Sequence, residues 1–458
     1  MSKSFMLAAA CVWLVAGTMS KVCAQERGMT LQQIFDVADQ QSQRIRVSET
    51  GIQSASEGVR AAKSARLPDV NLSLSGSYIG TASLLSRGFS NHGTTTIPYA
   101  IGAGDVSNGP QPTPHWGNNF AVEASQVLYA GGAISAGIRM AELGEQMANL
   151  DVVSNRQEVR FLLTGYYLNL YQLQNQIDVI QKNLELTEQV LDNMRARRDQ
   201  GTVLKNDITR YELQLQNLQL TRVQLEDARS IMNHQLVTTL HMDDACVIVP
   251  DSAALEVTLS SLDREMSQQS WQREATQNNV GLQQAELATQ IAQEQVTLAK
   301  ADKRPQIALV AQENLWGPYT SDLIPVDANV NAWFVGVGIK YNLGSLWRKN
   351  HAIRKAQLDA QQSSERYALA QEGVENGVQA NYVNLLTSYT EVQTQEKQVE
   401  LANQNYDVVR NRYDNELALL TDMLDASSMK LSADMALVNA RLNLLYNFYK
   451  LKYVTSTL

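Results

Sequence analysis

The chain has 458 residues, a formal net charge of −9 and 44% hydrophobic residues. This length suffices for one large domain or several small ones, and the acidic balance argues against a nucleic-acid partner. After residue 25 the sequence contains no run of about eighteen apolar residues, so no membrane-spanning helix is predicted. The mature protein is therefore expected to be either soluble and exported or a membrane β-barrel, whose strands are inconspicuous in hydropathy.

The first 24 residues have the features of a secretory signal peptide. Lys3 supplies a positive charge, residues 5–15 form a short apolar segment, and Ala24 ends a small-residue cleavage site. The apolar segment is too short for a membrane anchor. The residues before Cys23 disfavour lipidation of that cysteine but leave it open. Cleavage would leave Cys246 as the remaining cysteine, so no internal disulfide is expected.

The first half of the chain predicts a helix, two strands and a pair of long helices. Thr30 and Gln33 form a capping box that begins the first helix, and Pro68 favours a break before the strands. The stretch from Gly132 to Gln200 lacks proline and would span roughly 100 Å as a helix. In chain order, the predicted elements are a helix at 30–65, strands at 70–78 and 119–129 flanking a loop at 79–118, and helices at 132–200 and 206–240.

The second half repeats this order of elements. They are a helix at 262–302, strands at 307–315 and 333–341 flanking a loop at 317–331, and helices at 345–415 and 421–450. Three pairs of matching segments carry the repeat: 63–68 with 300–305, 128–132 with 341–345, and 198–201 with 413–416. The period is too long for a solenoid. We therefore predict two copies of one structural half, at 25–240 and 262–458, joined by a linker at 241–261.

The predicted strands alternate between apolar and polar residues. Val70, Leu72 and Leu74 would share one face, as in a half-buried strand. The strand lengths are near the roughly ten residues that a tilted membrane strand needs, and four strands are too few for a soluble sandwich. Four strands cannot close a barrel, and open edges are forbidden in hydrocarbon, so other copies must complete it. Two copies give eight strands with a filled interior, and three give twelve, so a trimer follows if the protein is a channel.

The duplicated order of strands and long helices resembles the TolC-like outer-membrane efflux protein family, as do the strand starts at 67–68 and 304–305 and the segment 129–132. The resemblance covers nearly the whole mature chain. It implies a mainly α fold with a membrane β-barrel, in which a trimer builds a twelve-stranded barrel in the cell outer membrane. Long antiparallel helical hairpins would continue the barrel as a periplasmic tunnel.

The same resemblance implies function and partners. The protein would be the passive exit duct of a tripartite efflux pump or a type I secretion system. Its partners would be further copies in a homotrimer, a periplasmic adaptor protein, an inner-membrane transporter and the outer-membrane lipid around the barrel. Cargo would pass without chemical change.

The family resemblance also implies functional residues beside the hairpin turns. Asp422 and Asp425 match an aspartate pair at the pore entrance, where rings of carboxylates favour cations. The simpler structural alternative is an acidic first helical turn stabilised by the helix dipole. Tyr413 and Asp207 match residues that gate the entrance through links between hairpins.

The arginine that partners these gating residues in the family falls at Ala418 here. Arg410 or Arg412 would substitute for it, or the entrance closes differently. The turns are expected to contact the adaptor, with a self-packed turn as the alternative for Leu204 and Leu419. The adaptor-contacting residues would be Gly201, Thr202, Val203 and Leu204 in the first hairpin and Leu417, Ala418 and Leu419 in the second, where Glu416 replaces the usual glycine.

Motifs of catalysis are absent from the sequence, which contains no Walker loop, no nucleophile elbow and no H-E-x-x-H. One cluster of potential metal ligands, comprising His234, His241, Asp243, Asp244 and Cys246, matches no standard zinc spacing. We therefore expect no enzymatic activity, no cofactor and no metal site. The alternative function is a structural coiled-coil envelope protein that is not coupled to a pump.

Overall fold

The computed structural model describes residues 25–78, 115–243, 245–261, 267–320, 325–326 and 328–458. The predicted signal peptide, most of the first inter-strand loop and part of the second lie outside these residues. The helices are α1 Leu31–Gln41, α2 Gln43–Ser64, α3 Ala133–Asp199, α4 Lys205–Thr239, α5 Ser252–Ser261, α6 Gln268–Asn278, α7 Val280–Ala301, α8 Ser345–Arg348, α9 Asn350–Asp414 and α10 Leu420–Val454. The strands are β1 Gln25–Met29, β2 Asp69–Tyr78, β3 Trp116–Ala130, β4 Cys246–Pro250, β5 Gln306–Gly317, β6 Tyr319–Thr320, β7 Pro325–Val326 and β8 Val330–Lys340.

Contacts divide the chain into two compact units. Of the described residues, the helical unit contains those up to Ala55, those within Glu145–Thr289 and those of Gln362–Leu458. The sheet unit contains Ser56–Gly144 and Gln290–Gln361. Two helices of 67 and 65 residues, α3 and α9, and two of 35 residues, α4 and α10, dominate the fold. α3, α4 and α10 begin and end within a few residues of the predicted positions, because long runs free of proline and rich in helix formers set them. The helix predicted at 345–415 is divided into the short α8 and the long α9, which begins at Asn350.

The four predicted strands form one antiparallel sheet in the order β2-β3-β5-β8. Leu72 pairs with Val122, Leu74 with Phe120, and Leu309 with Val337, so the apolar positions of neighbouring strands fall on one face. The other face carries mainly polar and small residues. No element among the described residues covers the apolar face, and Leu74 is 79% exposed. The outer edges of β2 and β8 pair with no other strand among the described residues.

Aromatic residues lie at both ends of the apolar face. Tyr78 and Trp116 pair at one end, with ring centroids 5.4 Å apart. Trp333 lies near that end of β8, while Tyr129 lies beyond a register shift in β3 at the opposite end. The sheet therefore presents an apolar band between two sets of aromatic side chains.

Gly131 ends β3 and leads into the long helix α3. Its φ of +66° is in the left-handed region, and an added Cβ would lie 2.5 Å from the carbonyl oxygen of Ala301. Arg304 donates to the Gly131 carbonyl over 3.0 Å. A glycine is therefore required here both by backbone conformation and by the close approach of α7.

The helical unit contains a two-stranded parallel sheet that the sequence did not predict. β1 pairs with β4 along its whole length, and β4 lies within the segment expected to be a linker. The buried Tyr167 of α3 donates to the carbonyl of Met29 over 2.8 Å and accepts from the backbone N–H of Asp251 over 3.0 Å. One hydroxyl of α3 thus forms hydrogen bonds with the end of β1 and with the residue that follows β4. The predicted linker at 241–261 contains β4 and α5, so it has regular structure along most of its length.

The helices that precede the strands are broken, where the sequence analysis expected one continuous helix in each half. Ser42 and Asn279 adopt extended backbone, with ψ of 122° and 115°. The side chain of Asn279 accepts from the N–H of Leu282 and donates to the carbonyl of Val454, so it restarts one helix and contacts another. The two breaks are 237 positions apart, the same spacing as Pro68 and Pro305. In the part of the chain that the structure describes, every helix lacks a stretch both apolar and long enough to span a bilayer.

Candidate functional site at the hairpin tips

The ends of the four long helices pack around one apolar cluster. The helices α3 and α4 form the first hairpin, and α9 and α10 form the second. Buried side chains from both hairpins meet in it, with Met194, Tyr211, Tyr406 and Met423 among the largest. Burial raises the pKa of the Tyr211 hydroxyl strongly, and neighbouring tyrosines add to the rise while Arg410 opposes it. The two tips within one chain are therefore held as one packed body.

The two turns have the same backbone structure. Gly201 has a φ of +82° and Glu416 a φ of +64°, both in the left-handed region. The N–H of Thr202 donates to the carbonyl of Arg197 over 3.1 Å, and the N–H of Leu417 donates to that of Arg412 over 2.7 Å. These bonds close a helix end in the way that normally uses glycine. Residues that are 215 positions apart, such as Gly201 and Glu416, are thus structurally equivalent. The sequence analysis matched the two tips at this same spacing.

Arg197 of the first hairpin contacts the second hairpin, and the sequence analysis missed it. Its Nη2 lies 2.8 Å from Oε1 of Glu416, and its guanidinium lies 5.8 Å from the ring centroid of Tyr413. We define this contact as the Arg197 clasp. Three arginines within four positions, 195–198, at the end of α3 were the one signal in the sequence, and they do not reveal which arginine reaches across.

The two arginines proposed from the sequence make contacts within the second hairpin. Arg410 Nε lies 4.0 Å from Asp414 Oδ2 on the same helix. Arg412 Nη2 lies 3.5 Å from the carbonyl oxygen of Leu417, in the turn that follows. At the tips, the cation that joins the two hairpins among the described residues is therefore Arg197, while Ala418 occupies the position expected for the arginine.

Tyr413 and Asp207, the two predicted gating residues, lie in this same region. Burial raises the pKa of the Tyr413 hydroxyl, and the carboxylates of Asp207 and Asp414 raise it as well, while Arg197 opposes the rise. Tyr413 therefore stays a neutral hydroxyl at neutral pH, able to donate a hydrogen bond. Asp207 lies in the first turn of α4, where the helix dipole stabilises its negative charge.

Asp422 and Asp425 lie three residues apart at the start of α10, and both are exposed. The Oδ2 atom of Asp422 accepts from the backbone N–H of Leu419 over 3.1 Å, so this aspartate caps the helix. Met423 and Ala426 are buried in the tip cluster. The structural alternative raised from the sequence therefore holds for Asp422, and it is compatible with a second role for both exposed carboxylates.

The apolar residues of the turns are exposed. Leu204, Leu417 and Leu419 are 71%, 69% and 70% exposed, so Leu204 and Leu419 do not pack within their own turns. Val203 is half-buried against the tip cluster. Among the described residues, no three histidine, cysteine, aspartate or glutamate side chains lie close enough together to hold a metal ion.

Comparison with known proteins relates this architecture to one family. The sequence profile described as "Outer membrane efflux protein" matches residues 34–240 and 271–455. The chain is 24% identical over 328 residues to outer membrane protein TolC of Salmonella enteritidis, covering 69% of this chain and 65% of that protein. It is also 24% identical over 335 residues to TolC of Escherichia coli K12, covering 70% and 66%. The alignments thus span about two thirds of the length of these curated relatives.

Solved structures share the fold at low sequence identity. The outer membrane protein VceC of Vibrio cholerae has a TM-score of 0.71 at 16% identity, covering 93% of this chain and 96% of that one. The MtrE outer membrane channel of Neisseria gonorrhoeae, in its open state, has a TM-score of 0.68 at 15% identity, covering 96% and 93%. The sequence profile matches most of the length of the chain, and the solved structures share its fold. The chain therefore belongs to the outer membrane efflux protein family.

Proposed function

We propose that this protein is the passive exit duct of a tripartite efflux pump or a type I secretion system in the cell outer membrane. Three copies would combine their sheets into a twelve-stranded barrel, and their helical hairpins would form a periplasmic tunnel. An inner-membrane transporter and a periplasmic adaptor would supply the cargo at the hairpin tips. No cofactor takes part, and cargo passes without chemical change.

The observation that carries this proposal is the uncovered sheet β2-β3-β5-β8. Its apolar face is exposed along its length, and its outer edges at β2 and β8 are unpaired among the described strands. An apolar surface of this kind calls for a hydrocarbon environment or a partner, and unpaired edges cannot remain in hydrocarbon. Trp333 and Tyr341 are eight residues apart, roughly 26 Å along a strand. At the tilt of about 40° found in membrane barrels this distance covers roughly 20 Å of membrane thickness, somewhat less than the apolar band of about 25 Å.

The tips support a cation-favouring entrance. Asp422 and Asp425 are exposed on one side of α10, while the opposite side is buried in the tip cluster. Three copies would bring six such carboxylates together, an arrangement that selects cations and binds multivalent ones. The exposed leucines at 204, 417 and 419 offer the adaptor an apolar surface beside the entrance.

Single-channel recording of the purified protein in planar bilayers tests the conduit and its entrance. The wild type should conduct, and a trivalent cation added on the tip side should block it. The double variant Asp422→Asn with Asp425→Asn should lose the block by tenfold or more in concentration. Asp199→Asn is the matched control, because Asp199 is an exposed carboxylate beside the first turn. If the trivalent cation blocks the double variant at the same concentration as wild type, the two aspartates do not form the entrance.

Photo-crosslinking in cells tests coupling to a pump. A photoreactive amino acid at Thr202 or Leu417 should capture a periplasmic adaptor, identified by mass spectrometry. The same amino acid at Tyr78, at the far end of β2, serves as the control and should not capture it. Membranes with intact trimers that yield only self-crosslinks would exclude adaptor docking and favour a structural envelope role.

A further inference from the structure

The apolar face of the sheet continues beyond the end of β8. Tyr341 follows β8, and Leu343, Leu346 and Trp347 come next, in and just before the short helix α8. These three residues are 59%, 43% and 63% exposed. Ser345 is buried between them, and the Trp347 ring approaches Gly344. Apolar side chains are thus held outward at the end of the sheet where β8 finishes.

A run of basic residues begins at the same point. Arg348, Lys349, Arg354 and Lys355 lie within eight positions. Lys349 pairs with Asp302 and Lys355 with Asp359, each over 2.6 Å. Arg348 and Arg354 are exposed, and no ion pair to either of them is found within the part of the chain that the structure describes. Two cations therefore remain uncompensated beside exposed leucine and tryptophan side chains.

The other edge of the sheet has a smaller version of this arrangement. β2 begins at the same end of the sheet at which β8 finishes, because the four strands are antiparallel in order. Arg66 and Leu67 lie just before β2, separated from it by Pro68, and Leu67 is 67% exposed. An apolar residue beside an exposed arginine thus marks both edges of the sheet at this end.

We propose that Leu343, Leu346, Trp347, Arg348 and Arg354, the basal patch, bind the headgroup and upper acyl chains of an anionic phospholipid. Tryptophan prefers the boundary between hydrocarbon and headgroups. Arginine pairs with phosphate through a planar fork and extends its charge toward water while its stem remains apolar. A free phosphate ion would use only the arginines and leave the three apolar side chains in water, so the surface fits a lipid better.

The inference rests on the proposed function in one respect, because it needs the sheet to lie in a bilayer. The end of the sheet at α8, where α3 and α9 begin, would then lie in the headgroup layer of one leaflet. Charge complementarity and continuity with the apolar face together identify the occupant. Basic residues next to a membrane-embedded segment attract anionic lipid, each contributing a factor of roughly five in affinity.

Native mass spectrometry of the purified full-length protein tests the proposal. The probes are dioleoyl phosphatidylglycerol and, with the same chains, dioleoyl phosphatidylcholine. Wild type should retain the anionic lipid preferentially. Arg348→Gln combined with Arg354→Gln should weaken phosphatidylglycerol binding roughly thirtyfold and leave phosphatidylcholine unchanged. Trp347→Ala should weaken both lipids. Arg366→Gln, at an exposed arginine further along α9, is the control and should change neither.

Several results would overturn the proposal. They are wild-type affinity in the double arginine variant, an equal loss in the Arg366 control, or displacement of the lipid by millimolar inorganic phosphate. Conductance of the same preparations in planar bilayers separates this inference from the proposed function. A conducting double variant with unchanged lipid binding would reject the basal patch alone, whereas a wild type that never conducts would reject the conduit.

Discussion

The variant Glu416→Gly distinguishes two effects of Glu416, one on the stability of the hairpin tip and one on the closure of the entrance. Glu416 has a φ of +64°, a conformation that costs a residue with a side chain about 1–2 kcal/mol. Its ion pair with Arg197 contributes only about 0.2–1 kcal/mol, because the glutamate side chain is 64% exposed and solvent screens the pair. Glu416→Gly should therefore leave stability unchanged or raise it slightly, while abolishing the carboxylate of the Arg197 clasp.

If the clasp helps to hold the entrance closed, the glycine variant should conduct more than wild type without unfolding at a lower temperature. Glu416→Gln keeps the unfavourable backbone and loses the charge, so it should show the same conductance and a slightly lower midpoint of thermal unfolding. Glu212→Gln removes an ion pair inside the first hairpin and should leave conductance unchanged. A marked fall in the thermal midpoint of Glu416→Gly would refute the strain argument. Wild-type conductance in both Glu416 variants would refute the closing role of the clasp.

Three further outcomes follow from buried contacts. Tyr167→Phe removes a hydroxyl that makes two backbone hydrogen bonds, one buried and one partly buried. The change should destabilise the protein by about 1–3 kcal/mol, measured by thermal unfolding and by faster amide exchange in β1 and at the start of α5. Burial raises the pKa of Tyr167 to about 12, so the neutral hydroxyl stabilises the folded state, and this contribution is complete below pH 10. It should be lost as the pH rises from 10 toward 12. The phenylalanine variant should lack this part of the pH dependence. Gly131→Ala should prevent or strongly destabilise folding because its Cβ would meet the carbonyl of Ala301 at 2.5 Å, whereas Gly137→Ala, with open space around it, should not.

Local sequence pattern was sufficient for the four strands of the main sheet and for most of the long helices. Period-two alternation identified β2 and β8 to within a few residues, and the runs free of proline identified α3 and α9. The equivalence of the two turns could also be predicted, because the intervals between Gly131 and Gly201 and between Gly344 and Glu416 nearly match.

Features that depend on contacts between distant segments could not be predicted. Asn279 breaks a helix partly through a hydrogen bond to Val454, 175 residues away. β1 contains few apolar residues and forms a strand because β4, more than 200 positions later, pairs with it. Arg197 carries the same local signal as its two arginine neighbours, and its partner Glu416 is 219 positions away.

The shared backbone of the two turns, with different residues in them, has a consequence for any assembly of this chain. Arg412 is the counterpart of Arg197, but the counterpart of Glu416 is Gly201, which has no carboxylate to offer. If copies join side by side as proposed, the interface between the two hairpins of one chain contains an ion pair. The interface between hairpins of neighbouring copies lacks it, and the two kinds of interface alternate around the assembly. The hairpins would then be alike in shape and unlike in chemistry, and an adaptor that surrounds them would meet two different kinds of docking position.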